Sequence, residues 1–277
     1  MSPFRGSARL TEQWDHFRFA RADGIATVTL DRPAKLNALT FDTYADLRDL
    51  LGELPHRGDV RVLVLRGEGR AFCSGGDVNE IIGATLAMGQ DELLAFTRMT
   101  GAVIGAMREC PIPIVAGLQG MAAGAGAVIA LAADFRVATP AARFAFLFTK
   151  VGLSGGDMGA AYLLPRLVGL GRATQLLMLG DTIDAEAAER IGLISELVPE
   201  DELDEAVDRL ARRLATGPAH AYAQTKALLT REQDMSLSAA LELEAMTQAL
   251  LMTGQDYAEF YAAFTEGRDP HWGGGDG

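Results

Sequence analysis

Gly117-Leu118-Gln119-Gly120-Met121-Ala122-Ala123-Gly124-Ala125-Gly126 is almost free of side chains, with a strand-like run, Ile112–Ala116, before it and a small-residue helical run, Ala127–Ala133, after it. Glycine and alanine let a ligand approach the main chain. A helix that starts here aims unpaired N–H groups and the positive end of its dipole at an anionic oxygen. Ala71-Phe72-Cys73-Ser74-Gly75-Gly76-Asp77 is a second loop of the same make. Two such loops that offer N–H donors to one point form an oxyanion hole, the electrostatic device of enolate and acyl chemistry.

Outward from this stretch, strands and helices alternate. His16–Arg21 and Ile25–Leu30 alternate apolar with other residues around Asp23-Gly24, which reads as a hairpin with that pair at its turn. Thr40–Leu54 has helical spacing, Val60–Leu65 is the β-branched run of a buried parallel strand, Glu92–Glu109 is helical and Phe135–Ala138 is a further strand. Strand, helix, strand is the crossover of an α/β fold, and the pattern holds to about residue 200. Beyond it, Glu202–Ala215, His220–Arg231, Leu237–Met252 and Tyr257–Thr265 are helical blocks with no strand between them.

The 277 residues are 49% hydrophobic, enough for one large core, and carry a net charge of −12. That balance argues against a nucleic-acid surface, while a few placed cations still suit a phosphorylated ligand. Cys73 and Cys110 have no metal-ligand spacing and His16, His56, His220 and His271 are scattered, so no metal site is expected. The N-terminus lacks a signal-peptide core, and no apolar run reaches the roughly 20 residues of a membrane span. A cytoplasmic protein with reduced thiols and no membrane contact is expected.

Each candidate residue has an ordinary reading beside the chemical one. Asp157 follows two glycines and opens the run Met158–Val168, so it serves either as a helix N-cap or as a catalytic carboxylate. A cap bond lowers a carboxylate's basicity and an apolar pocket raises it. Asp77, with Glu80 three residues on, reads as a cap, and Cys73 as a small apolar packer. Gly152-Leu153-Ser154-Gly155-Gly156 matches the G-x-S-x-G nucleophile elbow, with His220 and His271 as the histidines that follow it. Gly124-Ala125-Gly126 does not extend to a dinucleotide fingerprint, because the third glycine falls on Ile129.

Asp31-Arg32-Pro33-Ala34-Lys35-Leu36-Asn37-Ala38-Leu39, the Ala71–Asp77 loop, and Pro113–Gly120 with Gly124-Ala125-Gly126 resemble successive signatures of the enoyl-CoA hydratase/isomerase (crotonase) superfamily. The likeness continues through Thr182–Glu186 and Gly192–Ile194, over about residues 16 to 265. It implies an α/β spiral of ββα repeats with a C-terminal helical trimerisation region, assembled as a homotrimer or a dimer of trimers. It also implies a thioester substrate on coenzyme A or an acyl carrier, with no other cofactor. The chain then divides into an N-terminal extension (1–15), a ββα core with the thioester site (16–200), a C-terminal helical region (201–268) and a disordered tail (269–277).

By the same resemblance, the two carbonyl-binding N–H groups fall on Gly76 and Ala125. Arg32 and Lys35 fall near the coenzyme's phosphates and Lys226 near its ADP portion; Phe72, Val128 and Phe148 are assigned to the acyl pocket, although core packing accounts for Phe72, Phe146 and Phe148 equally well. Family hydratases carry two glutamates whose positions here hold Val128 and Phe148, neither of which transfers a proton. Asp157 aligns with the nucleophilic aspartate of the 4-chlorobenzoyl-CoA dehalogenase branch, whereas the naphthoate synthase branch places its aspartate on Gly155. As the sole carboxylate between Asp134 and Asp181, Asp157 is assigned as acid, base or nucleophile. The readings left open are an enolate-stabilising hydratase or isomerase, an aspartyl-nucleophile dehalogenase or hydrolase, a serine hydrolase through Ser154, and a non-catalytic acyl-CoA binder.

Overall fold

Asp23 (φ 52°) and Gly24 (φ 77°) both take left-handed backbone, the pair of conformations a two-residue hairpin turn requires. They join β1 (Arg18–Ala22) to β2 (Ile25–Leu30), with Ala22 opposite Ile25, in a computed structural model that describes residues 10–273. Residues 1–9 of the expected extension and 274–277 of the expected tail lie outside the described residues. From the hairpin the sheet grows in parallel through β3 (Val62–Gly67), β4 (Ile114–Leu118), β6 (Phe135–Ala138) and β9 (Glu196–Leu197), in the order β1-β2-β3-β4-β6-β9. Strands β3 and β4 are buried nearly throughout, as expected of parallel strands covered on both faces. Both begin two residues later than the apolar runs suggest: Val60 N–H is held in a turn by Arg57 O, and Pro113 has no N–H with which to open β4.

A second, smaller sheet pairs β5 (Met121–Ala123) with β7 (Arg143–Ala145) and β7 with β8 (Ile183–Asp184). Single bridges Cys73–Ala122 and Leu39–Gly76 continue it sideways. Each long strand is followed by a short extended piece in this second layer and then by a helix. The turns of the spiral are β2, Leu39 and α1 (Phe41–Glu53); β3, Cys73 to Gly76, α2 (Gly83–Thr85) and α3 (Gln90–Glu109); β4, β5 and α4 (Ala125–Ala132); and β6, β7 and α5 (Ala160–Val168). This is the ββα spiral that the motifs imply.

Helix α1 is capped by Thr40, whose hydroxyl accepts the Thr43 N–H at 3.2 Å. Its buried stripe, Tyr44, Leu47 and Leu51, faces α3, and Phe41 meets Phe96 edge-on at 4.9 Å. The remaining helices are α6 (Leu170–Leu179), α7 (Ala185–Arg190), α8 (Leu203–Ala215), α9 (Ala219–Arg231), α10 (Leu237–Met252) and α11 (Gln255–Glu266). Helix α8 closes the outer face of the sheet, packing Ala206, Val207, Ala211 and Leu214 on Val62, Val64, Val115 and Val137. After α11, His271 N–H donates to Glu259 at 2.8 Å. No described helix is long and apolar enough to cross a membrane.

Helix α4 is buried at all eight positions, so its end groups must be satisfied within the protein. Two arginines serve its carboxyl end. Arg136, 5% exposed, donates to Leu193 O at 2.6 Å and to the carbonyls of Ala130, Leu131 and Ala133, and Arg108 donates to Ala132 O at 3.3 Å. Burial lowers the Arg136 pKa to about 10, still charged at neutral pH and placed where a cation favours the helix dipole.

Gly126 in the first turn of α4 lies against the earlier loop, and a Cβ there would sit 2.7 Å from Cys73 Cβ. Gly126→Ala is expected to destabilise the fold by about 2 kcal/mol or more through overpacking. Gly171→Ala, in α6 with open space at the Cβ position, is expected to be neutral or to stabilise by up to about 1 kcal/mol. Urea unfolding of the two variants checks the contrast, and similar midpoints would contradict it.

Candidate functional site

The two small-residue loops are sewn together by main-chain hydrogen bonds. Phe72 N–H donates to Gln119 O at 2.8 Å, Cys73 N–H to Met121 O at 3.0 Å, and Ala123 N–H to Cys73 O at 2.9 Å. Gly75 (φ +100°) and Gly124 (φ +49°) take backbone that side chains avoid, and a Cβ on Gly75 would lie 3.5 Å from Ala125 N. The Ala125 amide therefore opens beside the residue that precedes Gly76.

The neighbouring amides are engaged. Gly75 N–H contacts Cys73 Sγ at 3.5 Å, Asp77 N–H donates to Leu39 O at 2.8 Å, and Gly124 N–H to Ala145 O at 2.8 Å. Among the described residues neither Gly76 N–H nor Ala125 N–H donates to a protein group. Ala125 is the first residue of α4 and has no carbonyl one turn ahead of it within the helix.

Asp157 is half-buried in the loop between a 3₁₀ turn, Leu147–Val151, and α5. Of the two readings of Asp157 the N-cap does not form: α5 starts at Ala160, Gly159 (φ 85°) occupies the cap position, and among the described residues the Asp157 carboxylate accepts only the adjacent Met158 N–H, at 2.9 Å. Met158 itself takes left-handed backbone at φ 49°, a strained state for a side-chain-bearing residue. Burial raises the Asp157 pKa, against the opposing pull of the Met158 N–H. A side chain at Gly155, where the naphthoate synthase pattern wants its aspartate, would run into the Leu177 carbonyl.

Tyr44 joins this group with little in the sequence to mark it. Its hydroxyl lies 3.7 Å from the position of a Cβ on Gly76, and burial, Cys73 and then Asp157 hold its pKa above the ordinary value. The Cys73 thiol, fully buried, is pushed up to about 12 and stays protonated, as its packing role expects. Asp77 caps the segment Val78–Ile82 by accepting Asn79 and Glu80 N–H. The Glu80 N–H is the largest of the causes that hold its carboxyl below the usual range.

The other expected site residues are placed less uniformly. Val128 and Phe148 are buried, 0% and 8% exposed, and Val128 lies one helical turn after Ala125 on α4. Phe72 is instead packed in the core around a small void it shares with Val28, Leu30, Leu63 and Leu65, a packing position rather than an acyl wall. Arg32 is drawn to Asp77 and Glu80, at 3.2 and 2.8 Å, and Lys35 is exposed. Lys226 is 6% exposed and locked between Asp134, at 2.8 Å, and Ile112 O, at 3.0 Å, so it braces the sheet and is not free for a nucleotide. Ser154 Oγ accepts Gly156 N–H at 3.1 Å, follows a 3₁₀ turn rather than a strand, and has no histidine bonded to it among the described residues. No group of three or more potential metal ligands occurs among the described residues.

The sequence pattern of the enoyl-CoA hydratase/isomerase family matches residues 20–275. A "Probable enoyl-CoA hydratase" of Rhodobacter capsulatus is 39% identical, over 93% of this chain and 97% of its own. The 1,2-epoxyphenylacetyl-CoA isomerase of Escherichia coli is 34% identical, over 91% and 95%. A crystal structure of a candidate enoyl-CoA hydratase from Streptomyces coelicolor A3(2) superposes with a TM-score of 0.96 at 72% identity, covering 99% of this chain and 100% of that one. The chain belongs to the enoyl-CoA hydratase/isomerase family.

Because burial sets the folded-state pKa of Asp157 above its unfolded value, the charged carboxylate costs stability above that pKa, and the cost vanishes as pH falls to the unfolded value of about 3.9. Asp157→Asn should therefore melt higher than wild type at about pH 7 and converge with it near about pH 4. Calorimetry at the two pH values checks this, and a difference that is the same at both contradicts the raised pKa.

Proposed function

We propose that this member of the enoyl-CoA hydratase/isomerase family holds an acyl thioester with its carbonyl oxygen between the N–H groups of Gly76 and Ala125, and isomerises an enoyl chain through Asp157. The observation that carries the reading is two unengaged amides together with a half-buried carboxylate, Asp157, that acts electrostatically on Tyr44, whose hydroxyl neighbours Gly76; by the resemblance, apolar Val128 and Phe148 stand where hydratases hold glutamates. Hydration needs one group to activate water and another to protonate the α-carbon. A 1,3-proton shift needs only one.

Ionised Asp157 takes a proton from the α-carbon of a 3-enoyl thioester, and the C–H electron pair moves into a dienolate whose negative charge rests on the thioester oxygen. The two amides stabilise that oxygen, each donor worth about 3 kcal/mol in the barrier. The proton then returns from Asp157 to the γ-carbon, and the double bond settles between the α- and β-carbons. Nothing is consumed, and Asp157 ends as it began. Burial that raises a carboxyl pKa suits a group that must both take and return a proton. The name of the E. coli relative, an isomerase of an epoxide-bearing acyl-CoA, supports isomerisation of a CoA thioester in general.

Lys35, exposed beside Ser74, whose hydroxyl donates to its carbonyl at 3.3 Å, is our candidate for the carrier's phosphates. Exposed Leu237, Leu250, Tyr261 and Phe264 on α10 and α11 support the homo-oligomer expectation.

The test is incubation of the protein with 3-enoyl- and 2-enoyl-CoA thioesters, read by mass spectrometry and proton NMR. The account expects a product of unchanged mass with a moved double bond, at a rate that rises with pH through a pKa above the ordinary carboxylate value. Asp157→Asn should lose about 10²-fold or more while still binding thioester. Ala125→Pro removes one amide at a helix N1 position, where proline is tolerated, and should lose about 10²- to 10³-fold with helicity intact. Products that gain water, or wild-type turnover in either variant, contradict the reading.

A further inference from the structure

Tyr44 is the one member of the cluster that the proton shift leaves unused. Its ring is 3% exposed and packs edge-on against Phe96 at 6.2 Å, which fixes where the phenol points. The hydroxyl lies 3.7 Å from the Cβ position of Gly76 and within the electrostatic reach of Asp157. It has no hydrogen-bond partner among the described residues, yet its oxygen is not among the atoms shut off from solvent. A tyrosine hydroxyl that reaches solvent while its ring is buried can exchange water for an acceptor that arrives with a ligand.

The acceptor need not be the thioester oxygen. A carbonyl oxygen offers two lone pairs, and in the proposed complex Gly76 and Ala125 occupy both. A third donor beside Gly76, which also feels the charge of Asp157, is left for an acceptor elsewhere on the ligand. We propose that the Tyr44 hydroxyl is reserved for an oxygen on the acyl group, so that the pocket selects thioesters oxygenated at carbon 2 or 3. The inference rests on the acyl-thioester reading above and deepens it from a general enoyl thioester to an oxygenated one. Tyr44 here is a specificity-determining residue.

The test compares binding of butyryl-CoA with that of the 2- and 3-hydroxybutyryl-CoA enantiomers by calorimetry, in the full-length wild type and in Tyr44→Phe. One neutral hydrogen bond in a buried site corresponds to about a two- to tenfold preference. The wild type should prefer at least one hydroxylated ligand by that factor. Tyr44→Phe should abolish the preference and leave butyryl-CoA affinity unchanged. Its melting temperature should hold, because the hydroxyl removed bonds no protein group and the ring stays.

A preference that survives in Tyr44→Phe, no preference in the wild type, or an equal loss for all ligands overturns the assignment. So does a melting temperature lowered by several degrees, because the hydroxyl then has a structural partner. If butyryl-CoA binds and only the preference is absent, the specificity inference alone fails. If no CoA thioester binds the wild type, the underlying acyl-thioester reading fails with it.

Discussion

Everything at the candidate site depends on the unsatisfied amino end of one buried helix. Helix α4 carries no polar side chain, so nothing of its own sequence can cap either terminus. At the carboxyl end the protein brings in Arg136 and Arg108 to meet the carbonyls of residues 130 to 133. At the amino end no described residue accepts from Ala125 N–H, and an open amide in a buried helix is costly unless water or a ligand accepts from it. The asymmetry makes α4 a fixed dipole, clamped at its negative end and open at its positive one.

The surrounding architecture keeps that open end in register with a second amide. Three main-chain bonds tie the 71–77 loop to the 119–124 loop, and Gly75, Gly124 and Gly126 permit an approach that a methyl group would block. Leu39 bridges to Gly76 from the other side, so the loop is held on both flanks. Behind them, Asp134 collects Arg108, Lys226 and the Ile114 N–H, which pins the end of α4 to the start of β4. Pre-set donors of this kind need no rearrangement when charge develops on a ligand oxygen, which is where their catalytic worth lies.

Local signals in the sequence were sufficient for most of the fold. Asp23-Gly24 specifies its turn, Thr40 its cap and the Val/Leu run of β3 its burial, because each depends on neighbours a few residues away. The glycine loops were legible for the same reason: backbone that approaches backbone must lack side chains. Less legible are residues whose partners are distant in the chain. The resemblance puts Lys226 near the carrier's ADP portion and Phe72 in the acyl pocket, while the fold sets Asp134 beside the one and core side chains around the other. Asp157 reads as a cap or a catalytic carboxylate alike, because glycines precede it and an apolar run follows, and only the left-handed backbone of Met158 and Gly159 before the helix separates the two. Tyr44 gives only one hint, a polar tip on an otherwise apolar stripe of α1.

The central claim is that two main-chain amides converge on one thioester oxygen, and the carbonyl stretch of that thioester reports on it directly. Isotope-edited infrared difference spectra of butyryl-CoA labelled with carbon-13 at the carbonyl, free and bound to the wild-type protein, isolate this one bond. Polarisation by both amides predicts a bound band moved to lower frequency than in water, and only part of that displacement when proline replaces Ala125. A bound band at the aqueous frequency, or one indifferent to the loss of the Ala125 N–H, would contradict the account.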